Sequence, residues 1–210
     1  MVLYVERDKK HTIEFFASSN LKEWKLLSAV EGLFECPDFF ELSVDGDAKN
    51  KKWVLTGASS EYMVGSFDGT KFTAETPKLP GPRGRGFYAA QTYSDAPDGR
   101  RIQIGWMQSP SPGMSFNQCM SLPLELSLKS TKDGPRLAFR PAREVEKLRT
   151  KQHAVSLKSF KPGDANPLAS LTGELLELRA EFAPSPKTLT TFTIRGSTVT
   201  YDFERQDLIV

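Results

Sequence analysis

Histidine and cysteine are scarce, with two of each in 210 residues: His11, His153, Cys36 and Cys119. None stands at metal-ligand spacing, so the sequence predicts no metal centre. The two cysteines leave a single disulfide open without requiring one. No serine triad, cysteine–histidine pair or glycine-rich phosphate loop is present, and no cofactor is implied. No apolar run approaches the ~18 residues of a membrane span, and no leader is visible at Met1. Charge of either sign is not in excess: 28 Lys and Arg stand against 26 Asp and Glu, a net +2. Such a balance makes no case for nucleic acid or an anionic membrane as partner. The one basic cluster, Arg83, Arg85, Arg100 and Arg101, is interleaved with Gly, Pro and Asp and reads as solvated loop. Nothing bears on oligomeric state.

What the chain does have is short apolar segments separated by turns, with few helical periods, a pattern that predicts an all-β protein. "MVLYV", "KWVLTG" and "RIQIGW" recur at a period of about 50 residues, that of propeller blades. "IEFFASSNLKEW" and "EYMVGSFDGTKF" match each other in the same way, each an apolar strand, a polar turn and an aromatic residue. "LFECPDFFEL" and "GFYAAQTYSD" open two hairpins, which "DGDAKNKK" and "APDGRR" close. The repeating unit is a four-stranded blade, present twice and in part a third time. A β-sandwich with accidental similarity is the plainer alternative.

From Phe116 the period disappears. "SLPLELSLKSTKDGPRLAFRP" reads as a hairpin around Asp133-Gly134. "PAREVEKLR" reads as a helix, with Pro141 in the first turn and Val145 and Leu148 on one face. Beyond "KPGDANP", the segments "ELLELRAEF", "TLTTFTIRG", "TVTYDFER" and "DLIV" read as strands of a second domain, the start of a β-sandwich. The expected division is residues 1–140, a linker helix over 141–151, and 152–210. "MVLYV" and "DLIV" both lie in mid-strand, so the chain is expected to be a portion of a longer protein.

Glu35 is the leading candidate for chemistry. A carboxyl between Phe34 and Cys36 in a buried strand would have its charged form desolvated and its proton held, as a general acid requires. The bland alternative is an edge glutamate facing water. Pro37 cannot donate to a ladder, so the strand bends or lies at an edge just past Glu35. Asp38, three residues on, would face the opposite side of an extended strand. It is expected to accept hydrogen bonds from backbone or an arginine rather than to pair with Glu35. Asp8, in "ERDKKH", reads as a hairpin turn. Trp106 is either core or a platform for the C–H face of a sugar, and Tyr88 can play either part. Apolar neighbours would suppress the Cys36 thiolate.

"FECPDFFEL" resembles the Glu-Cys-Pro-Asp motif of glycoside hydrolase family 32, the invertases, levanases and inulinases. "SSNLKEWKLLS" before it is similar to the family's lead-in. "GFYAAQTYSDAPDGRRIQIGWMQ" and "FNQCMSLPLELSLKSTKDGPRLAFRPAREVEKLR" resemble its later segments, in the wording of levanases. The resemblance implies a five-bladed propeller followed by a β-sandwich. It implies retaining hydrolysis of a β-fructoside, a fructan or sucrose, without cofactor or metal, and it fits a secreted or periplasmic parent. Glu35 would be the general acid/base; Trp106, Cys36, Asp38 and Tyr88 would line the fructose pocket. The family's nucleophile motif, Asn-Asp-Pro, and its Arg-Asp-Pro motif have no counterpart in this sequence. Arg7-Asp8 is followed by Lys9, and Gly86 stands where many relatives carry a polar residue. The 210 residues by themselves are therefore expected to be inactive.

Overall fold

The computed structural model describes residues 1–82, 84–183 and 185–210. Arg83, one member of the predicted basic cluster, lies outside the described residues. The chain divides into two units, Met1–Gln152 and His153–Val210.

The first unit is three antiparallel sheets in chain order. The first holds β1 (Val2–Arg7), β2 (Lys10–Ala17) and β3 (Lys25–Glu31), paired in that order. Asp8 and Lys9 close its first hairpin with φ of 50° and 63°, the doubly left-handed geometry that suits strand twist. The second sheet is a four-stranded meander of β4 (Asp38–Ser43), β5 (Lys51–Thr56), β6 (Tyr62–Phe67) and β7 (Phe72–Ala74). The third holds β8 (Phe87–Thr92), β9 (Arg101–Met107), β10 (Cys119–Met120), β11 (Leu124–Lys129) and β12 (Arg136–Pro141). Here β8 runs along one edge of β9. The other edge is shared, since β10 pairs with Met107 and Trp106 while β11 pairs with Arg101 to Gln103.

Packing explains why the middle sheet lacks polar–apolar alternation. One cluster of buried residues joins Phe40, Val54 and Val64 to Leu126, Leu128 and Leu137 of the third sheet. A second joins Leu55 and Phe72 to Ile13 and Phe15 of the first. Neighbours Val54 and Leu55, both 0% exposed, thus belong to different cores. A strand covered on both faces is apolar throughout.

Four expectations are corrected. Residues 33–37 are a turn and not strand: Glu35 and Cys36 have φ of 45° and 37°, and β4 starts only at Asp38. Pro141 ends β12 instead of starting a helix; a 3₁₀ helix spans Arg143–Leu148, with Leu148 exposed. Arg100 and Arg101 are not solvated loop. Arg100 hydrogen-bonds both carboxylate oxygens of Glu144 at 3.0 and 2.8 Å, and the Arg101 guanidinium lies 5.1 Å from the Phe40 ring centroid. In the second unit, β13 (Leu189–Ile194), β14 (Ser197–Asp202) and β15 (Asp207–Ile209) form one antiparallel sheet, but residues 174–182 are irregular. The alternation there finds no partner strand among the described residues, and an unpaired strand leaves its backbone groups to water.

Candidate functional site

The turn that carries Glu35 is anchored on both sides. Leu33 is fully buried among Ile13, Phe15, Leu55 and Phe72. Phe34 meets the rings of Tyr4 and His11 edge-on, with centroids 5.4 and 4.9 Å apart. The carbonyl oxygens of Phe34 and Glu35 both accept from Ala58 N–H, at 2.7 and 3.0 Å. Gly57 makes this approach possible, because a Cβ there would stand 2.9 Å from Phe34 O. These contacts hold two consecutive non-glycine residues at positive φ, a conformation that costs on the order of 1–3 kcal/mol per residue. The expected buried strand is replaced by a turn that leaves Glu35 half-buried and Cys36 exposed.

Strand β8 supplies the facing wall, and its register is irregular. Tyr88 pairs with Trp106 but Gln91 pairs with Ile104, so three steps on β8 match two on β9. Ala89, at φ 49°, carries the extra residue of this β-bulge. In a regular strand, residues three apart face opposite sides. The bulge puts Tyr88 and Gln91 on the same side, and both reach the turn. Tyr88 OH donates to Glu35 Oε2 at 2.8 Å, and Gln91 Nε2 donates to Cys36 O at 3.0 Å. Gly105, opposite the bulge, has no room for a side chain: its Cβ would lie 2.7 Å from the Phe87 ring.

Asp38 accepts from backbone, as one of its two expectations had it: Phe39 N–H at 2.9 Å and Thr92 N–H at 2.7 Å. It clips β4 to β8 and does not pair with Glu35. Trp106 is 40% exposed. Its ring lies edge-on to Tyr88 at 6.2 Å, and its Nε1 donates to Gln118 Oε1. Gln118 is in turn held by its own N–H to Ser111 Oγ at 2.9 Å.

The electrostatics follow the contacts. The hydrogen bond to Glu35, then burial, pushes the Tyr88 phenol up to about 12, so it remains a donor at neutral pH. Burial, then the Glu6 carboxylate and the Glu35 charge, also raise Tyr4. Tyr4 OH lies 2.6 Å from His11 Nδ1.

The structure therefore brings Glu35, Cys36, Tyr88 and, through Tyr88, Trp106 together, with Asp38 as a brace. Sequence reasoning missed Tyr4, His11, Gln91 and Gln118. An isolated glycine inside the β9 pattern was the one available sign of the bulge that recruits Gln91.

Residues 1–141 match the family model described as "Glycosyl hydrolases family 32 N-terminal domain". A levanase of Bacillus subtilis is 34% identical over 232 residues, which cover 94% of this chain and 34% of that protein. An extracellular exo-inulinase of Aspergillus niger is 29% identical over 95% of this chain and 44% of its own length. Among solved structures, exo-inulinase from Aspergillus awamori matches 67% of this chain and 35% of its own, at 27% identity and a TM-score of 0.52. A variant of fructan 1-exohydrolase IIa from Cichorium intybus, in complex with 1-kestose, matches 78% of this chain and 36% of its own at a TM-score of 0.63 and 22% identity. The chain spans about a third of the levanase's length.

Proposed function

The chain belongs to glycosyl hydrolase family 32, and on that premise we propose that it is the acid/base half of a retaining β-fructofuranosidase. Its sheets are successive blades of a five-bladed propeller, with the second unit beginning a β-sandwich. Glu35 is the general acid/base. Trp106, Tyr88 and Cys36 form the wall of the fructose pocket, and Asp38 holds the turn against that wall. The substrate is a fructan or sucrose, in keeping with relatives named levanase, exo-inulinase and sucrose-6-phosphate hydrolase.

The observation that carries this reading is the juxtaposition of a half-buried carboxyl, a phenol bonded to it at 2.8 Å, and an indole 40% exposed beside that phenol. A carboxyl next to an open aromatic face suits proton transfer to a sugar stacked on that face. Retention needs a second carboxyl about 5–5.5 Å from the first, which attacks the anomeric carbon. No Asn-Asp-Pro or Arg-Asp-Pro sequence occurs among these 210 residues. Residues 1–210 alone therefore release no fructose, whereas the parent protein does.

The test incubates the parent protein, and separately residues 1–210, with levan, inulin and sucrose, and follows fructose release and its anomeric configuration. Release by the parent with retention is the expected result. A parent that binds fructan without hydrolysing it would make the chain part of a binding module instead.

A further inference from the structure

We propose that Tyr88 is a positioning residue that assigns the transferable proton of Glu35 to Oε1. The inference rests on the acid/base reading of Glu35 and adds to it a choice between two oxygens. Among the described residues, the hydrogen bond at the Glu35 carboxyl comes from Tyr88 OH, to Oε2 at 2.8 Å. The other titratable groups around the turn are committed or turned elsewhere. Tyr4, from β1, lies 2.6 Å from His11 Nδ1 and donates to Glu6 at 3.4 Å. His11, from β2, meets the Phe34 ring edge-on and its Nδ1 faces the Tyr4 hydroxyl. Cys36 follows in the chain and is exposed.

An oxygen that already accepts a hydrogen from a phenol is the poorer place for the acid's own proton. The neutral carboxyl therefore carries it on Oε1. In the first half-reaction the Oε1–H bond breaks, and the proton goes to the glycosidic oxygen as the leaving group departs with the electron pair of its C–O bond and the second carboxyl, supplied by the parent protein, bonds to the anomeric carbon. Glu35 becomes an anion at that moment, and the phenol–Oε2 bond turns from neutral to charge-assisted, which is about twice as strong. An interaction that strengthens as charge develops lowers the barrier, where one of constant strength would not. In the second half-reaction water gives its proton to Oε1 as its oxygen bonds to the anomeric carbon, and the ester bond between that carbon and the second carboxyl breaks with its electron pair returning to the carboxylate. Tyr88 keeps its own proton throughout and can donate in both halves.

The position of the phenol is itself determined. The bulge at Ala89 aims Tyr88 at the turn, the Trp106 ring stands edge-on to it, and Ala89 N–H donates to Ala58 O at 2.9 Å. Ala58 is the residue whose N–H holds the Glu35 turn, so donor and acceptor are referenced to one point of the backbone.

The experiment uses the parent enzyme. Tyr88→Phe keeps the ring and removes the donor. We expect kcat/KM on levan or sucrose to fall about 10- to 100-fold, and the alkaline limb of its pH profile to move to higher pH, because the lost donor favoured the charged carboxylate. Replacing Tyr88 by 3-fluorotyrosine, a stronger donor of the same shape, should move that limb to lower pH, and this holds even if Tyr88→Phe fails to fold. A limb that stays in place with the fluorinated residue overturns the proposal, since a packing role predicts that. Glu35→Gln on the same substrates separates the two levels. Near-normal turnover in Glu35→Gln would defeat the acid/base reading itself. An inactive Glu35→Gln beside Tyr88 replacements with an unmoved limb would defeat only the proposal for Tyr88.

Discussion

The two units are both β, yet they hold themselves together differently. In Met1–Gln152 three sheets follow one another, and the middle one is covered on both faces, so that Val54 and Leu55 sit at 0% exposure in separate cores. In His153–Val210 a single three-stranded sheet forms, and no described residue there is fully buried. Leu175 is 97% exposed and Leu208 66%. Alternation and turns are present in both: Arg195 and Gly196, at φ 50° and 84°, close the second unit's hairpin as Asp8 and Lys9 close the first unit's. Local sequence is therefore enough to make a hairpin, while a core needs a second apolar layer. The candidate site needs it too. Its turn is held by Leu33, which enters the core shared by the first two sheets, and by Phe34, which meets the rings of Tyr4 and His11.

The sharpest way to divide the units is by chemistry. In the parent enzyme, Glu35→Gln should lower fructose release by about 10² to 10⁴-fold. Asp202→Asn, in the second unit, where the side chain caps a turn through the N–H groups of Glu204 and Arg205, should stay within about twofold. Steady-state kinetics on sucrose or levan checks both, and equal losses would erase the distinction.

Stability divides them next. Leu55→Ala removes a side chain fully enclosed by the first two sheets and should cost about 2–5 kcal/mol. Leu175→Ala should remain within about 0.5 kcal/mol. Urea melts of the two variants would show it, and a large loss for Leu175 would mean that its side chain is covered in solution.

The smallest expected effect concerns the end of the first unit, where ion pairs stand in for a core. Arg100 bridges Glu125 on β11 and Glu144 in the 3₁₀ helix. Its hydrogen bonds hold the Glu144 carboxyl down to about 2, against an ordinary 4.5. A carboxylate depressed in the folded state contributes stability that is complete above its unfolded value and is lost as pH falls through the folded one. The contribution should thus fade between about pH 4.5 and 2, and Glu144→Gln should flatten the dependence of Tm on pH in that window. The group is solvent-exposed, so the change is modest. An identical slope in the variant would show that the pair does not bear on folding.

Much of the first unit can be read in the sequence because its repeats are tandem. "MVLYV", "KWVLTG" and "RIQIGW" are β1, β5 and β9, the last two each following the first strand of its sheet. Glu35 and Tyr88 were legible as candidates through their apolar settings and through resemblance. Their relation was not. Positive φ at Glu35 and Cys36 leaves no mark in composition, since neither residue is glycine, and a run of apolar residues reads as strand until its hydrogen bonds are known. Arg100 and Arg101 read as loop for a similar reason: Gly and Asp next to them predict the turn Pro97–Gly99 well, but not the partners waiting on other strands. In the second unit "ELLELRAEF" has strand-like alternation but, among the described residues, no strand paired with it, which a local pattern cannot report.

The single extra residue in β8 has a consequence best put in terms of a reading frame. Upstream of Ala89, the strand shows the turn one phase of its pleat, and Tyr88 is in it; downstream it shows the other, and Gln91 is in it. Substitutions change letters within that frame and leave the phase alone. A gain or loss of one residue between Tyr88 and Gln91 would shift it, so that one of the two side chains pointed away from Glu35 and Cys36 even with every amino acid near the site unchanged. The spacing of "YAAQ" is thus part of the site in the same sense as its residues, and variation in this strand is constrained by length before it is constrained by identity.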